Sequence, residues 1–557
     1  MESNKTLPPG TVRLIDNDRT LSTKHGNGSE QDIVLVPTPS EDPEDPLNWT
    51  YRRKMLATSC VMMYTLMIAL PSGSVYSVVK PIEKATGLTL NDLNTGTGVM
   101  FLAYGWACVV WQPLALQYGK RPAYLFSMLA SIAIMTSAPW CTTRSTYLAN
   151  KVLQGFFGAP VEALCEISIT DIWFAHERPK YLAWYGFGLS VTGKLAPMLA
   201  GFINDGQDWR WVLWWTAIWI AIAFVYCFFL MEETNYDRTH HTPTHAPASE
   251  VVVSELTSGI NSTTVHEKDS KPLDALSSSS TSDREPGQIL PLYPRKSYWQ
   301  KLRLFPYANN NKSRPNRMLD IFLAPFKGFT YPVIVYAGLM YGANALVWSG
   351  VQNATTGTVY TTLYGFSTTG IAAAYSAGVI GAILGGYYCG KMGRILTVKL
   401  ARQKGRDGIS EPEDTLYMFV ASMILVPFAM LLYGLGVTYR VHWFALVFSQ
   451  GALAVSNCLC VAGGIGYAIS SYRELSGDMV TTLILIRNTL SFAVNYGITP
   501  WLNALGYRNT FIMVAVIGFA WNASLFIMVR IGPRLRASSA ERYWKDVAKA
   551  RAKGLGH

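Results

Sequence analysis

Two carboxylates stand four residues apart in an otherwise apolar stretch of the chain. Glu162 and Glu166 belong to the segment GAPVEALCEISITDIW, residues 158–173. A charged group near the centre of a bilayer costs roughly 2.5 to 3.5 kcal/mol even on lenient insertion scales, so these side chains should face protein or a watery cavity. Two carboxylates one helical turn apart in a low dielectric repel each other's charge, and such a pair can take up and release a proton. We predict proton coupling here; the alternative is a pair held permanently by structural hydrogen bonds.

Cationic residues are expected close to this pair. At about 100° per residue, Lys151 shares one helical face with Gly155, Gly158 and the two acids. The glycines on that face would let a neighbouring backbone approach closely. A second cation, Lys194, lies in the middle of another apolar stretch. It is a partner for one of the acids if the two helices pack together. A permanent ion pair and a role in coupling or substrate binding both stay open for Lys194.

A third group of polar residues lies near the carboxyl end of the chain, in MVTTLILIRNTLSFAVNYGITPW. Arg487 is always ionised, so inside a membrane it must meet an acid, a carbonyl group or water. Asn488 and Asn495 lie within about 100° of one another on the helical wheel. We expect Arg487 to complete a charge network across the molecule or to contact an anionic substrate, and we count all three residues as candidates for substrate binding.

Aromatic and amide side chains in LMYGANALVWSG form a fourth candidate group. Tyr341, Asn344 and Trp348 lie near one helical face and suit a pocket for a flat or amphipathic organic molecule. The alternative is ordinary helix packing, with Trp348 as an anchor at the membrane interface.

The candidate residues require helices that place them inside a bilayer. The composition of the chain predicts such helices. Of the 557 residues, 50% are hydrophobic and only 15% are charged, whereas a soluble protein carries about 25% charged residues. Apolar stretches of about 20 residues recur along the chain, each long enough to cross about 30 Å of hydrocarbon as a helix. The predicted spans are 55–77, 94–116, 123–141, 147–170, 181–203, 209–231, 330–352, 370–391, 416–437, 443–468, 479–501 and 509–531.

The pattern predicts an all-α membrane protein with twelve transmembrane helices in two six-helix halves. We divide the chain into an N-terminal tail (1–54), a first half (55–231), a linker (232–329), a second half (330–531) and a basic tail (532–557). The linker is rich in Ser, Thr, Pro and charged residues, so we expect it to be largely disordered, with one amphipathic helix near 298–305 on the membrane surface.

The net charge of +11 follows the topology and does not indicate nucleic-acid binding. The basic residues concentrate in alternate loops, which places both termini in the cytoplasm of a multi-pass cell-membrane protein. They are Arg52, Arg53, Lys54, Lys120, Arg121, Arg178, Lys180, Lys391, Arg394, Lys399, Arg402, Lys404, Arg406 and five residues of the tail.

Soluble enzyme chemistry is not indicated. The chain has no GxxxxGK[ST] phosphate loop, so we expect neither an enzyme nor an ATP-driven pump, and no cofactor. His240, His241 and His245 cluster in the linker without cysteine partners, and we expect no metal site there. The expected partners are a small-molecule substrate, protons and the lipid bilayer, and we expect a monomer.

Several segments carry a family resemblance. They are DPLNW before span 1, KVLQGFFGAPVEALCEISITDIWFAHERPKY through span 4, NDGQDWRWVLWW and EETNYDR around span 6, and ELSGDMVTTLILIRNTLSFAVNYGITPW in span 11. From about residue 40 to 536, without the linker, the chain resembles fungal major facilitator proteins. It is similar to their twelve-span drug:proton antiporter group, within the branch that includes the yeast histidinol and polyamine permease.

The resemblance assigns roles to particular residues. Lys151 occupies a position implicated in proton coupling, where relatives normally have Arg. Two sets of residues match conformational motifs of the family. They are Gly119, Lys120 and Arg121 between spans 2 and 3, where the usual acidic residue is Leu116, and Pro197 and Gly201 in span 5. The loop motif has a weaker counterpart in the second half, at Gly386, Gly390, Gly393 and Arg394.

Three positions depart from the branch. Lys194 stands where relatives usually have Asn, Ser470 where they have Asp, and Asn495 where they have Gly. An added cation and a missing acid near the transport path weaken the affinity for a polycation by like-charge repulsion.

We therefore hypothesise a proton-coupled exporter of small organic molecules, such as a fungal secondary metabolite or a xenobiotic. One alternative is a proton symporter that imports organic cations or polyamines. Another is a nutrient sensor that keeps the transporter fold and signals through its linker.

Overall fold

The computed structural model describes residues 8–13, 42–174, 177–236, 297–304, 317–401 and 409–552. Most of the predicted disordered linker and the histidine cluster at 240–245 lie outside these residues. The side chains of 392–410, which include Arg394 and most of the basic loop before span 9, lie outside them as well.

The predicted fold class is confirmed: the chain is an all-helical membrane protein. Eleven helical segments in the described part are long and apolar enough to cross a bilayer. The last of them, Arg473–Ala550, contains two crossings, because Gly506 (φ 72°, ψ 169°) breaks the helix in a conformation that only glycine adopts readily. The count is therefore twelve, as predicted.

The spans divide into two sets of six. Spans 1 to 6 are Tyr51–Gly73, Leu90–Tyr118, Lys120–Ser137, Arg144–Gly158 continued by Pro160–Ile172, Arg178–Gly206 and Trp209–Leu230. Spans 7 to 10 are Pro332–Gly342 continued through Ala343–Val347 to Trp348–Tyr364, Thr368–Ala374 with Ser376–Ala401, Phe419–Tyr439 and Trp443–Ser471. Spans 11 and 12 are 476–505 and 507–523, and the helix Leu525–Ala552 continues span 12.

Short elements connect the spans. A helix, Val79–Thr86, follows span 1. Within the predicted linker, Tyr298–Lys301 forms one helical turn and Met318–Gly328 forms a helix against spans 2 and 11. Two two-residue strands, β1 (Val12–Arg13) and β2 (Ile409–Ser410), pair antiparallel. The described part of the linker is thus more helical than the sequence indicated, because apolar residues in MLDIFLAPFKG pack on the bundle.

Each half has its own apolar core. One cluster of buried residues runs through spans 1 to 6 and includes Tyr64, Met128 and Ile220. Two further clusters fill the second half, one around Tyr433 and Phe511 and the other around residues 331–345 of span 7. Burial of these side chains stabilises each half, and Val480 and Ile484 of span 11 extend the first cluster into the second half.

The two halves meet along two seams. Span 2 packs along span 11, and span 5 packs along span 8. Asn94 donates to Thr499 (3.1 Å) near one end of the first seam, and Thr481 donates to Gln112 (2.7 Å) near the other. Contacts between the halves therefore lie on both sides of the bundle's centre.

Small residues let these helices approach each other. A Cβ on Gly105 of span 2 would lie 2.7 Å from the Cβ of Asn488. The close approach predicted at span 4 is confirmed: a Cβ on Gly155 would lie 2.3 Å from the carbonyl oxygen of Met100, and one on Gly158 would lie 2.6 Å from the Tyr104 ring.

One end of the bundle, here called the terminal face, carries residues 8–13, 42–49, 231–236 and the helix after span 12. There Arg536 donates from Nε to Glu413 Oε1 (2.9 Å) and from Nη2 to Oε2 (2.6 Å). Both side chains are completely or almost completely buried. Arg536 also donates to the carbonyl of Pro9 (2.6 Å), so this pair ties both ends of the chain to the second half.

The Arg536–Glu413 pair gives a stability prediction. Arg536→Met leaves a buried carboxylate without a counter-ion and should destabilise the second half by about 3–5 kcal/mol. Thermal unfolding of the purified protein in detergent measures this as a lower midpoint. The double variant Glu413→Leu/Arg536→Met should recover most of the loss, and Lys545→Met, which breaks an exposed pair with Glu541, should change the midpoint little. A midpoint that is unchanged in Arg536→Met would show that the pair does not hold the tail.

Candidate functional site

A cavity lies between the two halves at the centre of the bundle. Its walls come from spans 1, 2, 4 and 5 of the first half and from spans 7, 10 and 11 of the second. Most of the lining is apolar or aromatic. Its polar side chains are Ser72, Tyr76, Tyr104, Glu162, Ser190, Lys194, Tyr341, Ser349, Asn353, Asn457, Arg487, Ser491 and Asn495.

Glu162 lines the cavity from span 4, just after a local change in helical hydrogen bonding at Ala159, whose backbone stays helical (φ −52°, ψ −34°). The helix ends at Gly158 and starts again at Pro160, which suits the first turn of a helix because it needs no N–H donor. The hydroxyl of Tyr185 on span 5 donates to the carbonyls of Val161 (2.8 Å) and Glu162 (3.1 Å) and fixes this turn. Glu162 is therefore held on a well-defined backbone.

Arg487 joins the two halves at the cavity. Its Nη2 donates to Glu162 Oε2 and its Nη1 donates to the hydroxyl of Tyr341. Its guanidinium carbon also lies 5.0 Å from the centroid of the Tyr341 ring. The prediction that Arg487 completes a charge network across the molecule is confirmed. The expected pairing of a span 4 acid with Lys194 is not found; Arg487 takes that place.

Glu166 lies one turn beyond Glu162 towards the terminal face. It is buried, and its Oε2 has no hydrogen-bond partner in the described part of the chain. It does not line the cavity but sits behind Glu162, within electrostatic range of Arg487. The Arg487 guanidinium therefore lies near the carboxylates of both Glu162 and Glu166, but it contacts only that of Glu162.

The two lysines have different surroundings. Lys151 is buried, donates to Gln154 Oε1 (2.9 Å) and lies 5.6 Å from the centroid of the Tyr147 ring. It does not line the cavity, so the predicted shared face does not bring it to the acids. Lys194 lines the cavity and makes no ion pair in the described part of the chain.

Span 7 contributes a wide turn to the cavity wall. Residues Ala343–Val347 form a π-helix, a form that occurs often at functional sites. Asn457 of span 10 donates to the carbonyl of Ala345 (2.7 Å) in this turn. Ser190 of span 5 lies 3.4 Å from Asn457 Oδ1, so this amide also touches the first half.

The span 7 candidates separate into two environments. Tyr341 lines the cavity. Asn344 and Trp348 do not: Asn344 Oδ1 accepts from Trp348 Nε1 (3.2 Å) and from Asn522 of span 12 (3.1 Å). These contacts pack span 7 against span 12. They agree with helix packing, the alternative considered for this group.

The two asparagines of span 11 also differ. Asn495 lines the cavity, donates to the carbonyl of Ser491 (2.8 Å) and keeps Oδ1 without a partner in the described residues. Asn488 packs against Gly105 at the seam between the halves and lies outside the lining.

Sequence reasoning missed Ser190, Asn353 and Asn457. Asn457 had a usable signal, because an amide inside the apolar stretch QGALAVSNCLC is as unusual as the acids of span 4. Nothing in the sequence indicated Ser190 and Asn353, because many residues with the same hydrogen-bonding groups lie in the spans away from the cavity.

The loop motif between spans 2 and 3 forms a charge cluster on the terminal face. Gly119 (φ +124°) turns the chain, and the backbone N–H groups of Lys120 and Arg121 each donate to Glu233 (3.0 Å both). Burial raises the pKa of the Glu233 carboxyl, and these N–H donors partly offset that effect. Lys120 also pairs with Asp171 at the end of span 4. Glu233 therefore supplies an acid to a motif that has Leu116 at its usual acidic position.

The span 5 motif lies at the opposite end of the bundle. A Cβ on Gly201 would lie 2.5 Å from the Cβ of Ala372 and 2.8 Å from the carbonyl of Thr368 on span 8. Pro197 packs against Gly73 of span 1. Gly201 therefore lets spans 5 and 8 approach each other closely on that side.

Two helical halves that enclose a charged central cavity define a secondary transporter, in which the halves move around a fixed site. The chain belongs to the Major Facilitator Superfamily, whose family model matches residues 57–480. It is a multi-span membrane transporter of small molecules.

Curated relatives agree with this family. An uncharacterized MFS-type transporter of Schizosaccharomyces pombe is 26% identical, over 96% of this chain and 94% of the relative. Protein HOL1 of Saccharomyces cerevisiae is 24% identical, over 92% of each chain. Efflux pump vrtL of Penicillium aethiopicum is 23% identical, over 90% of this chain and 89% of the relative.

Solved structures share the fold. A partially occluded inward-open conformation of the xylose transporter XylE from E. coli matches 86% of this chain and 98% of its own, with a TM-score of 0.53 and 11% identity. A POT family transporter in complex with a thioalcohol-conjugated peptide matches 87% of this chain with a TM-score of 0.51 and 12% identity.

Gly201 gives a test of how the cavity closes. Gly201→Leu places a side chain where the halves touch and should destabilise closure opposite the terminal face by about 1–3 kcal/mol. The measurement is labelling of Gly193→Cys by a small water-soluble thiol reagent, in protein with Cys141 and Cys389 replaced by serine. We expect faster labelling with Gly201→Leu.

The matched control is Gly206→Leu on the same helix, where a Cβ meets nothing within 4 Å; it should leave the labelling rate unchanged. Equal rates in the Gly201 and Gly206 variants would show that the span 5–span 8 contact does not close the cavity.

Proposed function

We propose that the protein is a proton-coupled exporter of small organic molecules, with the Glu162–Arg487–Glu166 network as its coupling site. The observation that carries this proposal is the ion pair between Glu162 of the first half and Arg487 of the second, with a second buried acid next to it. Any movement that separates the halves at the cavity has to break this pair.

Protonation provides a way to break the pair at low cost. With both acids ionised, Arg487 attracts two carboxylates and holds the halves together. A proton on this network neutralises one carboxylate and weakens the attraction between the halves. Protonation therefore shifts the equilibrium between closed and open states, as a ligand does when it binds one state more tightly.

Exchange of substrate for protons follows if both use the same acids. A substrate in the cavity that donates a hydrogen bond to Glu162, which lines the wall, binds more tightly when that carboxylate is ionised than when it is protonated. Substrate and proton then compete for the same carboxylate, which is the requirement for antiport. The side chains of Tyr76, Phe101 and Tyr104 provide an apolar and aromatic surface for the body of the substrate.

Similarity supports export as the direction. One of the curated relatives is named an efflux pump, and we extend that direction to this chain, together with a place in the drug:proton antiporter group. We further propose the cell membrane as its location, both termini in the cytoplasm and a monomer as the working unit. The charge of Lys194 at the cavity argues against polyamine import, because two like charges repel in a low dielectric.

The test is transport in reconstituted liposomes. Labelled anionic, neutral and cationic aromatic compounds are screened with the wild-type protein, and the compound with the largest pH-driven flux becomes the probe. Glu166→Gln should lower the pH-driven flux about tenfold, the size of a typical coupling free energy. It should retain exchange of labelled for unlabelled probe at equal pH, because that exchange needs no net proton movement.

Glu83→Gln is the matched control. Glu83 pairs with Lys80 (2.7 Å) outside the cavity, so this variant should behave like the wild type. Full pH-driven flux in both Glu166→Gln and Glu162→Gln would remove the acids from coupling. Binding of the probe without any flux would instead favour a sensor, and uptake along with protons would favour a symporter.

A further inference from the structure

We propose that Lys194 binds a negatively charged group of the substrate, so that the transported compound is an organic anion or carries a carboxylate at one end. This inference rests on the proposed function, because it takes the central cavity as the transport site. It adds the chemical class of the substrate and the residue that selects it.

Lys194 is a buried cation without a counter-ion. Its side chain is 5% exposed, and in the described part of the chain its ammonium group has no hydrogen bond and no ion pair. Among those residues the one titratable side chain that acts on it is the thiol of Cys458, which donates to the carbonyl of Ala382. An isolated charge is costly to bury unless it is paired.

The acids of the cavity do not fill this role. Glu162 is held by Arg487 on the other side of the site, and Glu166 lies behind it, outside the lining. Lys194 is thus the one lysine or arginine of the described lining that has no acidic partner. A counter-charge for it has to come from a bound molecule.

Two glycines leave space beside Lys194 at the cavity wall. A Cβ on Gly378 of span 8 would lie 3.0 Å from Cγ and Cδ of Lys194, so this glycine makes room for the aliphatic stem. On the other side, Gly193 lines the cavity, and a Cβ there would meet nothing within 4 Å. The stem therefore packs closely against span 8, and Lys194 is part of the cavity lining.

Neutral hydrogen-bonding groups share the cavity lining with Lys194. Ser190 lies one helical turn before Lys194 and bridges to Asn457. The side chain of Asn353 also lines the cavity, and its amide N–H groups are donors that a carboxylate oxygen can accept from. Amides and hydroxyls can complete the coordination of a carboxylate that an ammonium group has neutralised. A cationic group in the same place would meet repulsion.

The rest of the wall sets the shape of the compound. Leu189, Val461 and Leu346 present apolar surface beside these polar groups. A cavity of this kind, mostly apolar with a few convergent polar groups, suits a small organic body with one anionic end.

The experiment is equilibrium binding to the purified full-length protein by calorimetry, without a pH gradient. The probes are three matched series that differ in one group: phenylacetate, phenylacetamide and phenethylamine; indole-3-acetate, indole-3-acetamide and tryptamine; octanoate, octanamide and octylamine. In at least one series the acid should bind about tenfold more tightly than its amide or amine, as expected for one charge-assisted hydrogen bond.

Variants then assign the preference to Lys194. Lys194→Met should remove the preference for the acid and leave the affinity for the amide within about twofold, because only the charge-assisted contact is lost. Lys194→Arg should keep the preference. Lys54→Met is the control, since Lys54 is equally buried but lies outside the cavity beside Phe174, and it should bind all probes as the wild type does.

Thermal unfolding without ligand separates recognition from structure. Lys194→Met should unfold at the same or a higher temperature than the wild type, because it removes a buried charge that has no partner. A lower unfolding temperature would show that the ammonium group is used structurally and would overturn the proposal. So would an acid preference that persists in Lys194→Met, or the absence of binding by all three acids.

The outcome is independent of proton coupling. If the acid preference depends on Lys194 while Glu166→Gln keeps its pH-driven flux, the coupling proposal fails and this inference holds. If Glu166→Gln loses its flux while acids and amides bind equally, coupling holds and this inference fails.

Discussion

The ion pair between Glu162 and Arg487 is the interaction on which the rest of the site depends. It joins span 4 of one half to span 11 of the other, and both side chains are more than nine-tenths buried. Removing one member of such a pair leaves an uncompensated charge and costs about 3–5 kcal/mol. The halves can separate at the cavity only if this cost is met by a proton, by water or by a substrate. In the proposed mechanism, the need to offset this cost couples the separation of the halves to the binding of protons and substrate.

The surrounding helices hold the two charges in place. Pro160 restarts span 4 directly before Glu162, and Tyr185 fixes the carbonyls of that turn. Gly342 lets span 7 approach the backbone of Arg487, where a Cβ would lie at 2.8 Å. Tyr341, the preceding residue, then accepts from the guanidinium. Pro160 and small residues therefore position the charges, while the large apolar clusters stabilise each half and, through Val480 and Ile484, also contribute to the contact between them.

The sequence predicted the fold well and the site in part. Twelve apolar stretches of sufficient length define twelve spans, because the bilayer allows few other structures. Intramembrane Glu162, Lys194 and Arg487 were recognisable for the same reason, since an ionisable group in a span has to face a cavity or a partner. Which charges pair was not predictable: Glu162 and Arg487 are 325 residues apart, and their contact depends on how the halves pack. Helical periodicity does not show whether Lys194 or Arg487 pairs with the acid of span 4. The pairing expected with Lys194 was therefore not the one found.

Asn344, Trp348 and Lys151 also show that the sequence does not predict how a helix packs in the bundle. Each lies on a predicted polar or aromatic face, and each turns out to contact a neighbouring side chain away from the cavity. A helical wheel gives the direction of a side chain relative to its own axis, but the rotation of the helix in the bundle decides whether that direction is the cavity or another helix. The wide turn at Ala343–Val347 changes that rotation within span 7.

The most direct test of the account is the distance between the halves as a function of pH, measured by electron spin resonance. One pair of spin labels, at Lys84→Cys and Tyr439→Cys, reports the face opposite the termini, and a second pair, at Tyr118→Cys and Tyr387→Cys, reports the terminal face. All four positions are exposed. Labels are placed with Glu162 intact and with Glu162→Gln. We expect the intact protein to shift its distance distributions as the pH is changed, and the Glu162→Gln protein to show altered distributions that no longer follow pH. Distributions in Glu162→Gln that match those of the intact protein at every pH would contradict the central role of the ion pair.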